Sequence, residues 1–445
     1  MSRHPLVLAL AFALLPAAAH AEDLLQTYEL ARSGDPQFSA AESSRLFTRE
    51  GSVQARAAML PQINGDASLA QPIADGEADV TSRDVGVSLR QMVYDHGNFT
   101  RLKSANALSE AANFRLDSAN DTLITRTSAA YFEVLVQLET LAAAEAAETA
   151  LKKQFDFASK RLEVGLAPIT DVHEARAQYD SARANTILAR NAVEDRYQSL
   201  RELTGQPITN VKGLPEDFKP SLPESTGVEQ WVETAIANNP ALKAKEFELK
   251  SAEADVATAR SGHYPTLYLG GSYGDTTSWG RDGAGSRFSG SDASGQIGLT
   301  LSVPIFSGGA TQSGVRQALA FRDITEDELT QQKRALDRNT RNAYQVLVAG
   351  ISEVEARRLA LVSARSAYDA SQVGLEVGTR TVLDVLNNQQ NLFRAQLLYA
   401  QTKYNFLQAR LLLEQAAGTL DVDDVQEINR LLTVDTEASL QTPLQ

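Results

Sequence analysis

The stretch LEVGLAPITDV, at residues 162–172, is matched later in the chain by LEVGTRTVLDV, at residues 375–385. Both copies share LEVG and place an aspartate six residues after the glycine, Asp171 in the first copy and Asp384 in the second. A glycine at this position is typical of a turn that ends a helix in the left-handed backbone conformation. The pair therefore predicts two equivalent turns between helices, one in each copy of a duplicated structural unit.

Further matches extend the duplication, at an offset slightly above 200 residues: Asp35-Pro36 with Asn239-Pro240, Leu60-Pro61 with Tyr264-Pro265, Tyr94–Gly97 with Phe306–Gly309, and Leu203–Gly205 with Ala416–Gly418. Each copy is predicted to contain a short helix, a strand, a loop, a strand, a long helix, a tight turn and a helix.

We expect a first repeat at 22–205, a linker in an equatorial belt at 206–227 and a second repeat at 228–418. Because Pro, Gly and charge interrupt the pattern, 419–445 should complete the belt and end as a loose tail.

Period-two alternation gives the strand signal, with apolar residues at every second position: Ile63 to Leu69 and Val85 to Leu89 in the first repeat, and Ile297, Leu299, Leu301, Val303 and Ile305 in the second. One apolar and one polar face suit a barrel wall between lipid and water. They equally suit a soluble sheet half-buried against helices. The stretches between the strands, 71–82 and 270–294, are rich in Gly, Ser and Asp and are predicted to be loops outside the cell.

Two runs of the chain, 97–162 and 310–373, contain few helix breakers. At 1.5 Å per residue, each predicts a helix roughly 95 Å long. The helix after Asp384 carries two adjacent heptad seams: Val385, Leu392, Tyr399, Phe406 and Leu413, and beside them Leu386, Phe393, Ala400 and Leu407. Helices with two seams pack against neighbours on both sides, as in a closed cylinder of coiled coils.

Two strand pairs supply only four strands per chain, whereas the smallest closed membrane barrel has about eight. Two copies would give a filled barrel, and three give about twelve strands with room for a water-filled lumen. Closing the ring also pairs the backbone N–H and C=O groups at the sheet edges, for which lipid offers no hydrogen-bond partners. The sequence therefore predicts an internally duplicated α+β membrane protein. Its long coiled-coil helical barrel and its transmembrane β-barrel would be completed by trimerisation, with four strands per protomer.

Residues 1–21 are predicted to be a secretory signal peptide, with Arg3 as the positive start, Leu6–Leu15 as the apolar core and Ala19-His20-Ala21 as the cleavage site. The apolar core is too short for a membrane-spanning helix, which needs about 20 residues. The net charge of -14 argues against nucleic acid as a partner, because phosphate binding needs a basic surface. The chain has no cysteine, so a disulfide framework is excluded.

Catalysis, a metal site and a cofactor are not supported by the sequence. Outside the signal segment the histidines are His96, His173 and His263, which lie far apart and lack metal-ligand spacing. No nucleophile elbow or zinc-binding helix motif occurs. We therefore expect a protein that is not an enzyme.

The tip stretches 162–172 and 375–386, together with Ala175–Asp180, resemble those of the TolC family of outer-membrane efflux proteins. The resemblance extends to about Gly418. It implies a homotrimer in the outer membrane of a Gram-negative cell, in contact with outer-membrane lipid and with its helical domain in the periplasm. It also implies a passive duct for efflux or type I secretion, docked to a periplasmic adaptor (membrane fusion protein) and an inner-membrane pump of the RND or ABC type.

The same resemblance assigns adaptor docking to two tips: Val164, Gly165 and Leu166, and Val377, Gly378 and Thr379. The residues alone also allow each glycine simply to end its helix. For Asp384, the resemblance implies one acidic residue of a threefold cation-binding ring that narrows the entrance. The residues alone favour a capping box of Thr381 with Asp384.

Asn387 stands where the family often carries a second ring acid, so that ring should be uncharged. Arg380 aligns with the family arginine that holds the inner helix pair to its neighbour, with Thr170 and Asp171 as its partners. Leu375 replaces a tyrosine that joins this network in some members. The rival hypothesis is a non-conducting periplasmic coiled-coil tether or adhesin, which explains the heptads but not the duplicated strand pairs.

Overall fold

The computed structural model describes residues 23–71, 80–215, 218–222, 227–281 and 286–436, so the predicted signal peptide lies outside the described residues. The first copy of the fold contains α1 (Leu24–Gly34), α2 (Pro36–Ala57), β1 (Gln62–Ala70), β2 (Val80–Tyr94), α3 (His96–Glu163) and α4 (Ile169–Thr204). The second contains α5 (Val228–Asn238), α6 (Pro240–Ser261), β4 (Thr266–Arg281), β5 (Arg287–Ser302), α7 (Ala310–Glu376) and α8 (Val382–Ala417). The remaining elements are β3 (Lys212–Gly213), α9 (Val422–Leu431) and β6 (Val434–Asp435).

Two short helices, not the single one expected, begin each copy. The Asp35-Pro36 junction ends α1 and starts α2, because the Asp35 carboxylate caps the first turn and proline suits the first helical position. Asn239 and Pro240 do the same between α5 and α6, where the Asn239 side chain accepts a hydrogen bond from the Leu242 amide. A capping residue followed by proline therefore marks a helix boundary that the apolar pattern alone does not show.

The four long strands form one antiparallel sheet in the order β1-β2-β4-β5, with β2 and β4 joining the two copies. The expectation that 270–294 is a loop is wrong, because β4 and β5 pair from Thr266↔Ser302 to Arg281↔Arg287. Glycine here permits close approach of strands. A Cβ added at Gly274 would lie 3.1 Å from the Val85 carbonyl oxygen of the neighbouring strand.

Both edge strands of this sheet are exposed along their whole length. Ile297 is 77% and Leu299 62% exposed, although both belong to the apolar face of β5. The sheet is therefore not half-buried against the helices of its own chain, and the alternative of a soluble half-buried sheet does not hold. β1 and β5 each have one strand neighbour, so each presents an open edge.

The long helices confirm the predicted rods, with 68 residues in α3 and 67 in α7. The two seams of α8 are also confirmed, because their residues are buried, apart from the half-buried Phe393, and α8 contacts both α7 and α3. Within the described residues, none of the helices is both long and apolar enough to cross a membrane.

A belt of small elements surrounds the helices near their middle. β3 pairs with β6 through Lys212↔Asp435 and Gly213↔Val434. The expectation of a loose tail is wrong for α9, which is capped by Asp421 and buries Val425 and Ile428 completely. Its apolar side chains recur at helical spacing and pack on the main core, and this burial orders the segment.

Candidate gate and docking tips

The turns after α3 and α7 have the same geometry. Gly165 and Gly378 adopt φ of 73° and 78°, and each follows a helix end at a valine. The Leu166 amide donates to the Arg161 carbonyl at 2.8 Å, and the Thr379 amide donates to the Gly374 carbonyl at 2.8 Å. Both glycines thus end their helices in the left-handed conformation, so this structural role is confirmed.

The side chains at both turns are exposed and apolar. Val164, Leu166 and Val377 are each about two-thirds exposed, at 67%, 68% and 68%. No atom lies within 4 Å of a Cβ added at Gly165 or Gly378. The helical end of the chain therefore offers small apolar patches that are free to contact another protein.

Asp384 caps α8, as the residues alone predict. Its Oδ2 accepts hydrogen bonds from the Thr381 amide at 2.9 Å and the Thr381 hydroxyl at 2.8 Å, while its own amide donates to Thr381 Oγ1 at 3.2 Å. The amide and hydroxyl of Thr381, together with the nearby Arg380 charge, lower the pKa of Asp384. In the described part of the chain, Oδ1 accepts no hydrogen bond. The cap therefore leaves the carboxylate ionised, with one oxygen available to a cation.

The position of Arg380 is fixed by a backbone hydrogen bond and by the packing of its aliphatic side-chain carbons. Its amide donates to the Gly374 carbonyl at 3.0 Å, and its Cγ lies so close that a Cβ added at Gly374 would meet it at 2.6 Å. The guanidinium is exposed and forms no ion pair with any described residue. Gly374 was not identified from the sequence, although a glycine inside a helical run one turn before the tip was a usable signal.

The remaining predicted gate residues, Thr170, Asp171 and Asn387, are also exposed. The first two lie at the start of α4 and the third lies in α8. The Thr170 hydroxyl donates to Asp171 Oδ1 at 3.5 Å, and both begin α4. Among the described residues, the charge of Arg380 acts on Asp384, and neither Thr170 nor Asp171 forms a hydrogen bond or ion pair with Arg380. Asn387 is exposed one turn into α8. The predicted bond between Arg380 and the start of α4 is therefore not formed within the described chain.

The fold has an uncovered sheet at one end and two helical tips at the other, an arrangement that indicates an outer-membrane channel protein. The chain belongs to the outer membrane efflux protein family, whose family model matches residues 27–206 and 231–419. Membership makes it an outer-membrane channel protein and not an enzyme, as the sequence predicts.

Comparison with individual proteins agrees with this assignment. The chain is 32% identical to outer membrane protein TolC of Vibrio cholerae over 97% of this chain and 98% of that one. It is 28% identical to the alkaline protease secretion protein AprF of Pseudomonas aeruginosa, over 93% and 88% of the two chains. The Campylobacter jejuni CmeC outer membrane channel has a similar fold, with a TM-score of 0.76, 18% identity and coverage of 93% and 90%.

Proposed function

We propose that three copies of this chain form a passive duct through the outer membrane, gated at the helical tips. The observation that carries this proposal is the sheet with two open edges, β1 and β5, both exposed along their length. Pairing β1 of one copy with β5 of the next satisfies both edges. Three four-stranded sheets then close a twelve-stranded barrel wide enough to hold water.

The helices support the same arrangement. Contacts between neighbouring helices follow the order α2, α3, α6, α7, so α2 and α7 lie at the two ends of this row. The strands joined to these helices follow the same order, β1, β2, β4 and β5. Phe47 on α2 is 83% exposed, and Phe321 and Ile324 on α7 are 56% and 55% exposed. Large apolar side chains on both end helices suit contact with the neighbouring copy.

Partners are proposed at the tips. The exposed apolar patches at Val164, Leu166 and Val377 suit a periplasmic adaptor protein, and the duct itself has no means of using energy. An inner-membrane pump of the RND or ABC type would drive transport. The similarity to AprF, whose name describes secretion of alkaline protease, favours protein export as one cargo class beside efflux of small molecules.

Reconstitution tests the duct directly. The purified protein, solubilised in detergent, is expected to have the mass of three chains and to conduct ions in a planar lipid bilayer. The tether or adhesin hypothesis predicts no conductance from the same preparation. A monomer, or a trimer that inserts without conducting, would contradict the proposal.

Replacing Arg380 with serine is expected to raise the conductance of the trimer several-fold. The guanidinium forms no ion pair with any residue that the structure describes, so in the trimer it can hold the inner helix pair to Thr170 and Asp171 of the next copy. Without it, α7 and α8 are free to move outward at the tip. Single-channel recording at low applied voltage measures the change.

The control is Arg380→Lys, which keeps the charge and the stem over Gly374. It should conduct much less than the serine variant. Equal conductance of wild type and Arg380→Ser would exclude this restraint.

A further inference from the structure

A cleft of about 450 Å³ opens on the helical part of the chain, remote from the tips. Its walls come from α1, α2, α3 and α6 and from the turn between α8 and α9, so it lies where the two copies of the fold meet. This volume is within the range of small-molecule sites, roughly 300–1,000 Å³. The residues that concern its chemistry are Tyr28, Phe38, Phe114, Asp117, Asp121 and Lys243.

Asp121 is the unusual member of the cleft. It is only 8% exposed, and in the described part of the chain its carboxylate has neither a hydrogen bond nor an ion pair. An unpaired carboxylate buried in this way is costly. Burial, together with the neighbouring Asp117 charge, raises the pKa of Asp121 to about 7. The interior of the cleft therefore holds a carboxylate that lacks a cation.

Asp117 supplies a second carboxylate on the same face of α3. Residues four apart on a helix lie about 5–6 Å apart between their Cβ atoms. Asp117 is exposed, and no described residue forms an ion pair with it. The two carboxylates thus form a pair running from the mouth of the cleft to its buried end.

Three aromatic side chains, Tyr28, Phe38 and Phe114, form part of the cleft lining. The Tyr28 hydroxyl donates to Asn120 Oδ1 at 2.8 Å, which fixes that ring, and Phe114 stacks on Phe247 with ring centroids 5.5 Å apart. Aromatic faces beside a carboxylate attract ammonium groups and pack on their alkyl chains. A metal ion fits less well, because among the described residues no three acidic, histidine or cysteine side chains are grouped to bind one.

We propose that this cleft binds a short aliphatic diamine, with one ammonium on the buried Asp121 and the other on Asp117. The alkyl chain packs against the ring of Tyr28, whereas the ring of Phe114 already has the Lys243 ammonium 5.7 Å from its centroid. The other charged groups that line the cleft are Arg32 of α1, Glu42 of α2 and Lys243 of α6. The charges of Lys243 and of the nearby Arg45 act on Asp117 and not on the buried Asp121. Arg32 is exposed, and its charge acts on Tyr28 and not on Asp121.

Binding should strengthen as the pH rises. Below about pH 7 Asp121 is neutral in the folded protein, and above it the carboxylate is charged. The diamine stays doubly protonated through this range. Calorimetric titration of the full-length protein in detergent with 1,4-diaminobutane is therefore expected to give at least tenfold tighter binding at pH 8 than at pH 6.

Variants separate the two carboxylates. Asp121→Asn should weaken diamine binding at least tenfold at pH 8 and remove its pH dependence. Asp117→Asn, at an exposed position, should weaken the diamine more than butylamine at pH 8. Because the Asp117 charge raises the pKa of Asp121, the same variant should move the pH dependence of binding to lower pH. Glu110→Gln, an exposed acid on α3 outside the cleft, is the matched control and should bind as wild type does.

The proposal is overturned if the wild-type protein does not bind the diamine at millimolar concentration. It is equally overturned if Asp121→Asn binds as tightly as wild type, or if neutral 1,4-butanediol binds as well as the diamine.

Discussion

Replacing Gly418 with alanine is expected to destabilise the protein by about 2–5 kcal/mol and to sharply reduce the folded protein in the outer membrane. Gly418 ends α8 with φ of 69°, which costs other residues about 1–2 kcal/mol. An added Cβ would also lie 2.6 Å from both the Cα and the amide nitrogen of Asn239. Backbone cannot move aside as a side chain can, so the end of α8 must separate from the α5–α6 junction. The denaturant midpoint of the helical signal measures the loss.

Gly205 is a matched control from the first copy. It ends α4 with the same φ of 69°, but the nearest atom to an added Cβ is 3.8 Å away. Gly205→Ala should therefore lower the free energy of unfolding only by the strain of a left-handed alanine, about 1–2 kcal/mol. Equal losses in the two variants would show that the contact with Asn239 is unimportant.

The two glycines also show what a duplicated sequence can predict. The match of Leu203–Gly205 with Ala416–Gly418 indicates two helix ends from sequence alone, because the left-handed conformation is a local property. The close approach of Gly418 to Asn239 depends on how separate helices pack, so no pattern within a few residues predicts it. In the first copy the close contact is made by a different glycine, Gly34. A Cβ added there would lie 2.2 Å from the Thr204 carbonyl oxygen.

Long-range pairing explains the other departures from the sequence prediction. Glycine, serine and aspartate between 270 and 294 predict a loop by composition, but ladder bonds to β2 and between β4 and β5 make these residues strands. Likewise, α9 is a short helix whose order comes from burying Val425 and Ile428 in a core formed by distant segments. The heptad seams of α8 were predictable because each helix carries its own pattern.

The gate was predictable only in part. The turns and the Asp384 cap follow from spacing within a few residues, so sequence is sufficient for them. The proposed bond between Arg380 and the start of α4 would join two copies of the chain, and no spacing within one sequence reports on such a contact. The cleft at Asp121 was not predicted at all, because its residues come from five separated segments and share no motif.

Replacing Asp384 with alanine is expected to raise the concentration of a multivalent cation needed for half-block of the trimer by about tenfold or more, equivalent to at least about 1.4 kcal/mol of lost binding. Three carboxylates near a common axis attract a trivalent cation far more strongly than isolated surface charges do. The hydrogen bonds from Thr381 lower the pKa of Asp384, so the block should persist into mildly acidic solution. Titration with hexamminecobalt during bilayer recording measures the effect.

Alanine removes both the charge and the helix cap, so Asp384→Asn is the decisive control. The asparagine Oδ1 can still accept from the Thr381 amide, which preserves the start of α8 while removing the charge. If the ring acts through charge, Asp384→Asn must lose the block as fully as Asp384→Ala does. Asn387→Asp should strengthen it by adding a second charged ring one turn further along. A block that survives in Asp384→Asn and is lost only in Asp384→Ala would assign the residue to helix capping alone.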